Sequence, residues 1–303
     1  MRLSIIISFL LLALIPHSVR AISLAPAVLE MTATRGSVVQ QTISVINTKG
    51  TEQTYFVGIM KFKPSVEGES PVFISPQEDQ TELPQWIRLP FTEFRVAANT
   101  KAEVPFEVAV PLDVKSGGYY AALTVSQAPG EVVADNGAII EAKVAVLLLL
   151  TVEGETEEKL ALLDFHSDKS DLTSQLGGVF TYRLQNQGNV HVTPKGTLKL
   201  TDLFGRTLIE SDANPELGRV LPGSTRAYEL GIETQKDFFW IVKDQIGFFA
   251  IGPIKATLDL SYGEEGQQIY SSFSFWHFPW QLLVTIGVPL IVLLGLFHLK
   301  KPR

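Results

Sequence analysis

Hydrophobic and polar side chains alternate in short runs between residues 22 and 275, and Gly, Pro, Asn and Asp bound these runs. Alternation with a period of two predicts β-strands with one buried face, and no helical period of useful length appears in this stretch. Clear examples are Val39 to Val45, Tyr55 to Ile59 and Val104 to Val110. The segment Val144–Val152 is almost wholly apolar, which predicts a strand buried on both faces.

An acidic segment divides these strands into two series. Glu153–Glu158 holds four glutamates in six residues, which predicts a solvated linker rather than a cation site. A second series follows it and includes Leu160–Phe165, Gly177–Leu184 and Phe248–Ile251. The spacing of the turn signals favours an all-β fold of two tandem immunoglobulin-like β-sandwich domains. We place the first domain at residues 22–154 and the second at residues 155–275.

The two series share features that favour a distant repeat. Each has a strand that ends near an asparagine, Asn47 in the first and Asn186 in the second. Each also has a hairpin marked by proline, at Pro111 and Pro222.

The N-terminus has the pattern of a signal peptide over residues 1–21. Arg2 supplies the positive charge, Leu3–Pro16 is almost unbroken in its apolar character, and Ala21 offers a small residue for cleavage. The alternative is a membrane anchor that is retained.

The C-terminus has the pattern of a membrane span. Leu282–Phe297 carries no charge, and the stretch 278–298 is long enough to cross a bilayer. We therefore predict a transmembrane helix at residues 276–298 and a basic cytoplasmic tail at residues 299–303. This makes the chain a single-pass type I protein of the cell membrane with an extracellular ectodomain. The alternative is a buried core helix.

Composition excludes several classes of function. The chain of 303 residues has no cysteine, which removes disulfides, thiolate metal sites and cysteine nucleophiles. Its formal net charge is −7, so it lacks the basic surface that nucleic-acid binding needs.

Catalytic motifs are not found in the sequence, and we predict neither enzymatic activity nor a cofactor. No Gly-x-Ser-x-Gly, phosphate-binding Gly-rich loop or His-Glu-x-x-His motif is present. Asp164, His166 and Asp168 would point the same way on an extended strand and are weak candidates for a metal site. An exposed strand end that runs into a polar turn explains them as well, and we predict no bound metal.

Aromatic residues offer a better candidate for partner binding. The polar loop Pro64–Pro84 is longer than a sandwich needs, and it holds Phe73 and Ile74 and ends next to Trp86. We take Trp86, Phe73 and Ile74 as candidate partner-binding residues. The alternative is that Trp86 belongs to the core. Phe238-Phe239-Trp240 in the second series poses the same question.

The order of segments and several short motifs resemble the WxL-interacting surface proteins of Gram-positive-type bacteria. The motifs are Leu24-Ala25-Pro26, Ser44-Val45-Ile46-Asn47, Gly117-Gly118-Tyr119-Tyr120 and Asn186-Gln187-Gly188-Asn189-Val190. The resemblance implies one immunoglobulin-like domain associated with peptidoglycan, a second associated with surface proteins, and a membrane anchor. A related uncharacterised bacterial envelope protein fits the same pattern.

These observations predict a membrane-anchored extracellular binding or scaffolding protein. Its sandwich loops and strand edges would contact a cell-wall polymer or bacterial surface proteins, and residues 278–298 would contact the lipid bilayer. One alternative is a chaperone-like assembly factor for exported proteins, which would use the same strand edges. A less favoured alternative is an envelope hydrolase.

Overall fold

The computed structural model of the chain describes residues 22–64, 71–127, 143–169 and 171–299. The predicted signal peptide, residues 1–21, and the basic residues Lys300, Lys301 and Arg303 lie outside the described residues. The chain forms two compact units divided between Val152 and Glu153, and the short segments 63–72 and 116–118 are grouped with the second unit. Each unit has a hydrophobic core of its own. That the two predicted domains fold separately stays a prediction.

The first domain is built from two sheets. One has the strand order β1-β3-β8-β6, and the other has the order β2-β10-β9-β4-β5 with β7 beside β4. The elements are β1 Ser23–Ala25, β2 Val28–Ala33, β3 Val38–Ile46, β4 Gln53–Pro64, β5 Pro71–Ile74, α1 Leu83–Trp86, β6 Ile87–Arg88, β7 Glu93–Val96, β8 Lys101–Ala109, β9 Gly117–Ser126 and β10 Lys143–Val152.

The second domain also has two sheets, with the strand orders β11-β13-β16 and β12-β18-β17-β14-β15. The elements are β11 Leu160–Ser167, β12 Leu172–Thr173, β13 Gly178–Asn186, β14 Lys195–Thr201, β15 Thr207–Asp212, β16 Thr225–Ile232, α2 Phe238–Gly247, β17 Gly252–Tyr262, β18 Gln267–His277 and α3 Trp280–Leu299. The prediction of an all-β fold class is therefore confirmed.

The alternating pattern of the sequence explains which side chains form the first core. In β3, Ile43 and Val45 are fully buried, while the residues between and before them are more exposed. In β8, Val104, Phe106 and Val108 follow the same period and are buried in the core, and β8 pairs with β3 along its whole length. The apolar strand β10 buries Val146, Leu148, Leu150 and Val152 on one face, and Leu149 is buried on the other face, so the burial on both faces that its sequence predicts is found only in part.

In each domain the first two strands belong to different sheets. In the first domain, β1 runs antiparallel to β3, and β2 runs parallel to the last strand, β10. In the second domain, β11 runs antiparallel to β13, and β12 runs parallel to the last strand, β18. The two domains thus share one topology, which is what a distant repeat of the sequence leads us to expect.

A buried asparagine lies at the end of β3 in the first domain and at the end of β13 in the second. The Asn47 amide donates hydrogen bonds to the backbone carbonyls of Thr51, Val96 and Ala97. The Asn186 amide donates to the carbonyls of Val190 and Val220. Each side-chain oxygen accepts a hydrogen bond from the backbone N–H two residues further on. The asparagines satisfy backbone groups of the turns that would otherwise be buried without partners.

The helix α2 differs from the sequence-based prediction, which placed no helix in this region. It buries only Ile241, Val242 and Gln245, while Phe239 is 71% exposed and Trp240 is also exposed. Aromatic residues on the exposed face hide the period of 3.6 that normally marks a helix. Phe248–Ile251, predicted as a strand, forms an irregular segment between α2 and β17.

The C-terminal helix α3 requires a second correction. It spans Trp280–Leu299 and contains Pro289. Its first turn is anchored to the second domain, because Gln281 and Leu282 are buried. Within the part of the chain that the structure describes, no helix is long and apolar enough to cross a membrane. The predicted transmembrane helix is therefore not found.

Candidate strand-pairing site in the first domain

Trp86 lies in the core of the first domain. It ends the short helix α1, is only 9% exposed, and belongs to the main hydrophobic cluster together with Leu83. Its ring centroid lies 4.6 Å from that of Tyr119. Of the two interpretations that the sequence left open, the structure places this side chain in the core. Its role in binding stays a prediction.

Phe73 and Ile74 lie in the short strand β5, beside β4. Phe73 is 41% exposed, and Ile74 is half-buried. The Phe73 ring lies 6.4 Å from that of Phe62, while Trp86 contacts Tyr119. The predicted loop therefore contains a strand, and its residues 65–70 lie outside the described residues.

A polar turn follows β5 and is organised by Lys61. The Lys61 ammonium lies 2.9 Å from an Asp79 carboxylate oxygen and 3.0 Å from Glu82. Partial burial lowers the pKa of Lys61. The hydrogen bonds to Asp79 and Glu82 have a larger combined effect in the opposite direction, so the pKa is raised. Hydrogen bonds from Thr81 and Lys61 lower the pKa of Asp79 to about 2. These contacts hold the turn in one conformation, which is a structural role.

The weak metal candidates do not come together. The His166 imidazole Nδ1 lies 2.7 Å from an Asp164 carboxylate oxygen, and both side chains are exposed. Asp168 instead accepts a hydrogen bond from the backbone N–H of Val179. Among the described residues, no group of three or more His, Cys, Asp or Glu side chains could hold a metal ion.

The outer edge of β10 is only partly covered. The strand has ten residues, but β2 pairs with it only from Leu147 to Val152. Next to the start of β2, the Leu147 N–H donates a hydrogen bond of 3.0 Å to the Ala27 carbonyl, and β1 lies close to β10 without being paired to it in the sheet. Before this point, β10 continues through Val146, Ala145 and Val144, and the strand order gives it only β2 and β9 as neighbours among the described strands.

The backbone of Ala145 faces the open part of this edge. In a β-strand the N–H and C=O groups of alternate residues point to the same side. The backbone N–H and C=O of Leu147 point towards β2, so those of Ala145 point to the same side. The backbone groups of Val144 and Val146 point towards β9. The Val146 side chain is fully buried, which fixes the strand in the core. The backbone N–H and C=O of Ala145 are therefore fixed in position as a hydrogen-bond donor and acceptor for an added strand.

Two other edges, those of β8 and β11, are less suited to pairing. β6 covers only Val108 and Glu107 of β8, but Pro105 lies in the uncovered part of β8 and has no N–H. The edge strand β11 contains a bulge between Leu162 and Asp164. Prolines and bulges are devices that block the addition of a strand. The sequence alone did not single out Ala145, because only the unequal lengths of β2 and β10 expose it.

Comparison with known proteins gives structural matches only. No protein-family model and no curated protein matches the chain. The chain is similar to the class 5 fimbriae chaperone CfaA, with 8% identity and a TM-score of 0.39 over 86% of this chain and 100% of that one. It is similar to the E. coli chaperone DraB, with 11% identity and a TM-score of 0.36 over 86% and 97%. A third match is the complex of the Salmonella enterica SafA pilin with the SafB chaperone, with 11% identity and a TM-score of 0.35 over 85% and 96%.

These findings correct two predictions from the sequence. The interpretation as a membrane-anchored binding or scaffolding protein is wrong, because no helix of the described residues is long and apolar enough to anchor the chain in a membrane. The localisation as a single-pass membrane protein is also wrong, since no described helix can cross a membrane. A cell-wall polymer and a lipid bilayer are unsupported as partners. The resemblance to WxL-interacting proteins stays a prediction.

Proposed function

We propose that the chain is a chaperone-like factor that binds an extended segment of an exported client, such as a bacterial surface protein, along the open edge of β10. The observation that carries this proposal is that β2 begins only opposite Leu147, so that no described strand pairs with the N–H and C=O of Ala145, although β1 lies close to β10. A client strand would pair with these groups and continue the sheet in line with β2. Such addition of a strand requires no catalytic side chain.

The surroundings of Ala145 favour an apolar client segment. Val144 and Ala145 are half-buried, and Val146 is fully buried. An added strand would extend the row of apolar side chains that β10 presents, so that alternate side chains of the client would be shielded from water. Backbone pairing would supply affinity, and the apolar neighbours would favour clients with exposed hydrophobic strands.

The edge of β10 is preorganised for binding, because the strand is already ordered before a client binds. Leu148 and Leu150 are fully buried in the core of the first domain, and β9 pairs along the other side of the strand. A client therefore meets a rigid template, and the chaperone loses little conformational entropy on binding. This distinguishes the site from a flexible loop.

Substitution of Ala145 tests the proposal. Ala145→Pro removes the N–H on the open side and leaves the hydrogen bonds to β9 intact, because those use Val144 and Val146. We expect it to weaken the binding of a labelled peptide of alternating valine and threonine by about tenfold or more, measured by fluorescence anisotropy. The matched control is Ala145→Val, which keeps the N–H and should keep the affinity.

A second measurement uses a whole client. The wild-type chain should delay the aggregation of an unfolded β-sandwich protein, followed by light scattering, and Ala145→Pro should lose this effect. Thermal unfolding of both variants confirms that the first domain is folded. Equal activity of Ala145→Pro and Ala145→Val in both assays would contradict the proposed site.

A further inference from the structure

Beyond its first turn, helix α3 presents apolar side chains on all sides. Every leucine, isoleucine and valine in residues 283–296 is exposed, and Ile291 is 70% exposed. These side chains point in every direction around the helix axis, so no face of this stretch is buried against the described part of the chain. The whole helix contains no Asp, Glu, Lys or Arg. An uncharged helix with so many exposed apolar side chains requires a partner in water.

The start of α3 is fixed to the second domain. Leu282 is buried, and its N–H donates a hydrogen bond of 2.9 Å to the side-chain oxygen of Gln245. The Gln281 amide donates to the Ser174 hydroxyl at 3.1 Å. The exposed part of α3 therefore begins at an anchored turn, and its direction from the second domain is set by these contacts.

The exposed face of α2 adds to this apolar surface. Its exposed apolar side chains are Phe238, Phe239, Trp240 and Ile246. The Phe238 ring lies 6.4 Å from the Trp280 ring, so the exposed face of α2 continues onto the start of α3. We call the exposed apolar side chains of residues 238–246 and 280–296 the α2–α3 surface.

The area of the α2–α3 surface indicates what kind of partner covers it. A half-exposed aliphatic side chain offers roughly 50 Å² of apolar area, and a half-exposed aromatic one roughly 100 Å². The surface therefore exposes on the order of 1,000 Å², whereas the largest apolar patch on a typical monomer is about 300–600 Å². A standard stable interface buries about 800 Å² on each partner. The surface is thus large enough for a stable dimer.

A second copy of the chain fits this surface better than a transient partner does. A transient partner would leave the apolar area in water whenever it dissociates, which is unfavourable for so large an area. A second copy is always present, and it brings an equally uncharged α3 helix, so pairing buries no charge. Large and mainly apolar interfaces are typical of permanent dimers.

We propose that two copies of the chain form a dimer in which their α3 helices pack antiparallel and cover the α2–α3 surface. The end of each α3 then lies near α2 of the other copy, and the helix dipoles oppose each other. The proposal does not depend on the function proposed above, because the α2–α3 surface belongs to the second domain and the β10 edge to the first.

The sequence of α3 gives the register of the pair. Leu283, Gly287, Leu290 and Leu294 follow each other at spacings of four, three and four, which places them on one side of the helix. In an antiparallel pair Leu283 lies opposite Leu294 of the other copy, and Leu290 lies opposite Gly287. Each Leu290 then fills the space beside a glycine, whereas a parallel pair would place Gly287 against Gly287 and leave a gap.

Sedimentation velocity of the full chain, in buffer without detergent, tests the dimer. We expect a dimer with a Kd of about 1 µM or below. Leu290→Glu places an unpaired charge in the apolar interface and should weaken the dimer by at least about a hundredfold. The matched control is Leu163→Glu, which adds the same charge at an exposed leucine of β11 and should leave the Kd unchanged. Far-UV circular dichroism checks that both variants are folded.

Disulfide formation tests the direction of the helices, because the chain has no cysteine of its own. Leu283→Cys and Leu294→Cys, carrying tags of different size, are mixed and oxidised. We expect disulfides between the two variants and few within either one, because equal positions in the antiparallel pair lie about 16 Å apart along the helices. This measurement also tests the dimer if Leu290→Glu does not fold.

The proposal is overturned if the full chain stays monomeric at a concentration about a hundredfold above the expected Kd. It is also overturned if Leu290→Glu and Leu163→Glu dimerise equally, or if disulfides form within each cysteine variant and not between the two. A monomeric chain that sediments with vesicles of phosphatidylglycerol and phosphatidylcholine would show that lipid covers the surface, and this too would overturn the proposal.

Discussion

At the scale of single residues, burial decides what an aromatic side chain can do. Trp86 and Phe73 belong to the same candidate site in the sequence, but Trp86 is in the core and Phe73 is 41% exposed. Two aromatic side chains therefore differ in role because they differ in burial. A buried ring stabilises the domain, whereas an exposed one can contact a partner.

Replacing these two residues distinguishes the roles. We expect Trp86→Ala to lower the free energy of unfolding by about 3–5 kcal/mol, because it leaves a cavity beside Tyr119. Phe73→Ala is the matched control and should cost less than about 1 kcal/mol. Urea unfolding of both variants measures this. A loss of similar size for the two would show that the Trp86 site collapses around the missing ring.

The buried His277 makes stability depend on pH. Its pKa is about 4 in the folded chain and 6.5 in a solvated histidine, because burial disfavours the charged ring. Between these values the unfolded chain binds more protons, so stability is full above pH 6.5 and falls as the pH falls towards 4. The loss is roughly 3 kcal/mol in total.

Urea unfolding of the wild type between pH 7.5 and pH 4 measures this loss. His277→Gln removes the titrating group, so its stability should change less across this range. A wild-type stability that is constant between pH 6.5 and pH 5 would rule out the buried neutral ring.

At the scale of elements, the helix α2 is attached by few side chains, and one of them makes three hydrogen bonds to neighbouring segments. Gln245 bonds to Ser174, Gln281 and Leu282 and so links α2 to the start of α3. The exposed face of α2 carries aromatic side chains that do not bury against the domain. The attachment of the helix therefore rests on Ile241, Val242 and Gln245.

Removal of the Gln245 side chain should loosen α2. We expect Gln245→Ala to increase hydrogen exchange of the α2 amides about tenfold or more, since three hydrogen bonds are lost and two of them are buried. Mass spectrometry of exchanged peptides measures this. Lys243→Ala, an exposed change on the same helix, should leave exchange unaltered. Equal exchange in both variants would mean that apolar packing alone holds the helix.

At the scale of the whole molecule, the two domains share a topology and a buried asparagine, but each has its own core. Separate cores predict separate unfolding transitions. The equivalence of Asn47 and Asn186 provides matched substitutions, one for each domain.

Calorimetry of these variants tests the division. Asn47→Ala should cost about 2–3 kcal/mol and lower only one transition, by roughly 5–10 °C, because buried carbonyls lose their donor. Asn186→Ala should lower only the other transition. Gln187→Ala, an exposed change next to Asn186, is the control and should lower neither. A shift of both transitions in either asparagine variant would show that the two domains unfold as one unit.

Local patterns in the sequence were sufficient for much of the fold. The period of two in β3 and β8 and the apolar run of β10 both correspond to observed strands. Each signal depends on neighbouring residues alone, because a strand alternates its faces. The all-β class of the fold follows from such signals.

Other features were decided only by the tertiary structure. The sequence did not predict helix α2, because aromatic side chains on its exposed face obscure the helical period. The C-terminal helix was predicted to span a membrane because a long uncharged apolar stretch is followed by basic residues. The open edge at Ala145 and the burial of His277 have no local signal. They arise where strands of unequal length or distant segments meet, and contacts between distant parts of a chain leave no periodic pattern along it.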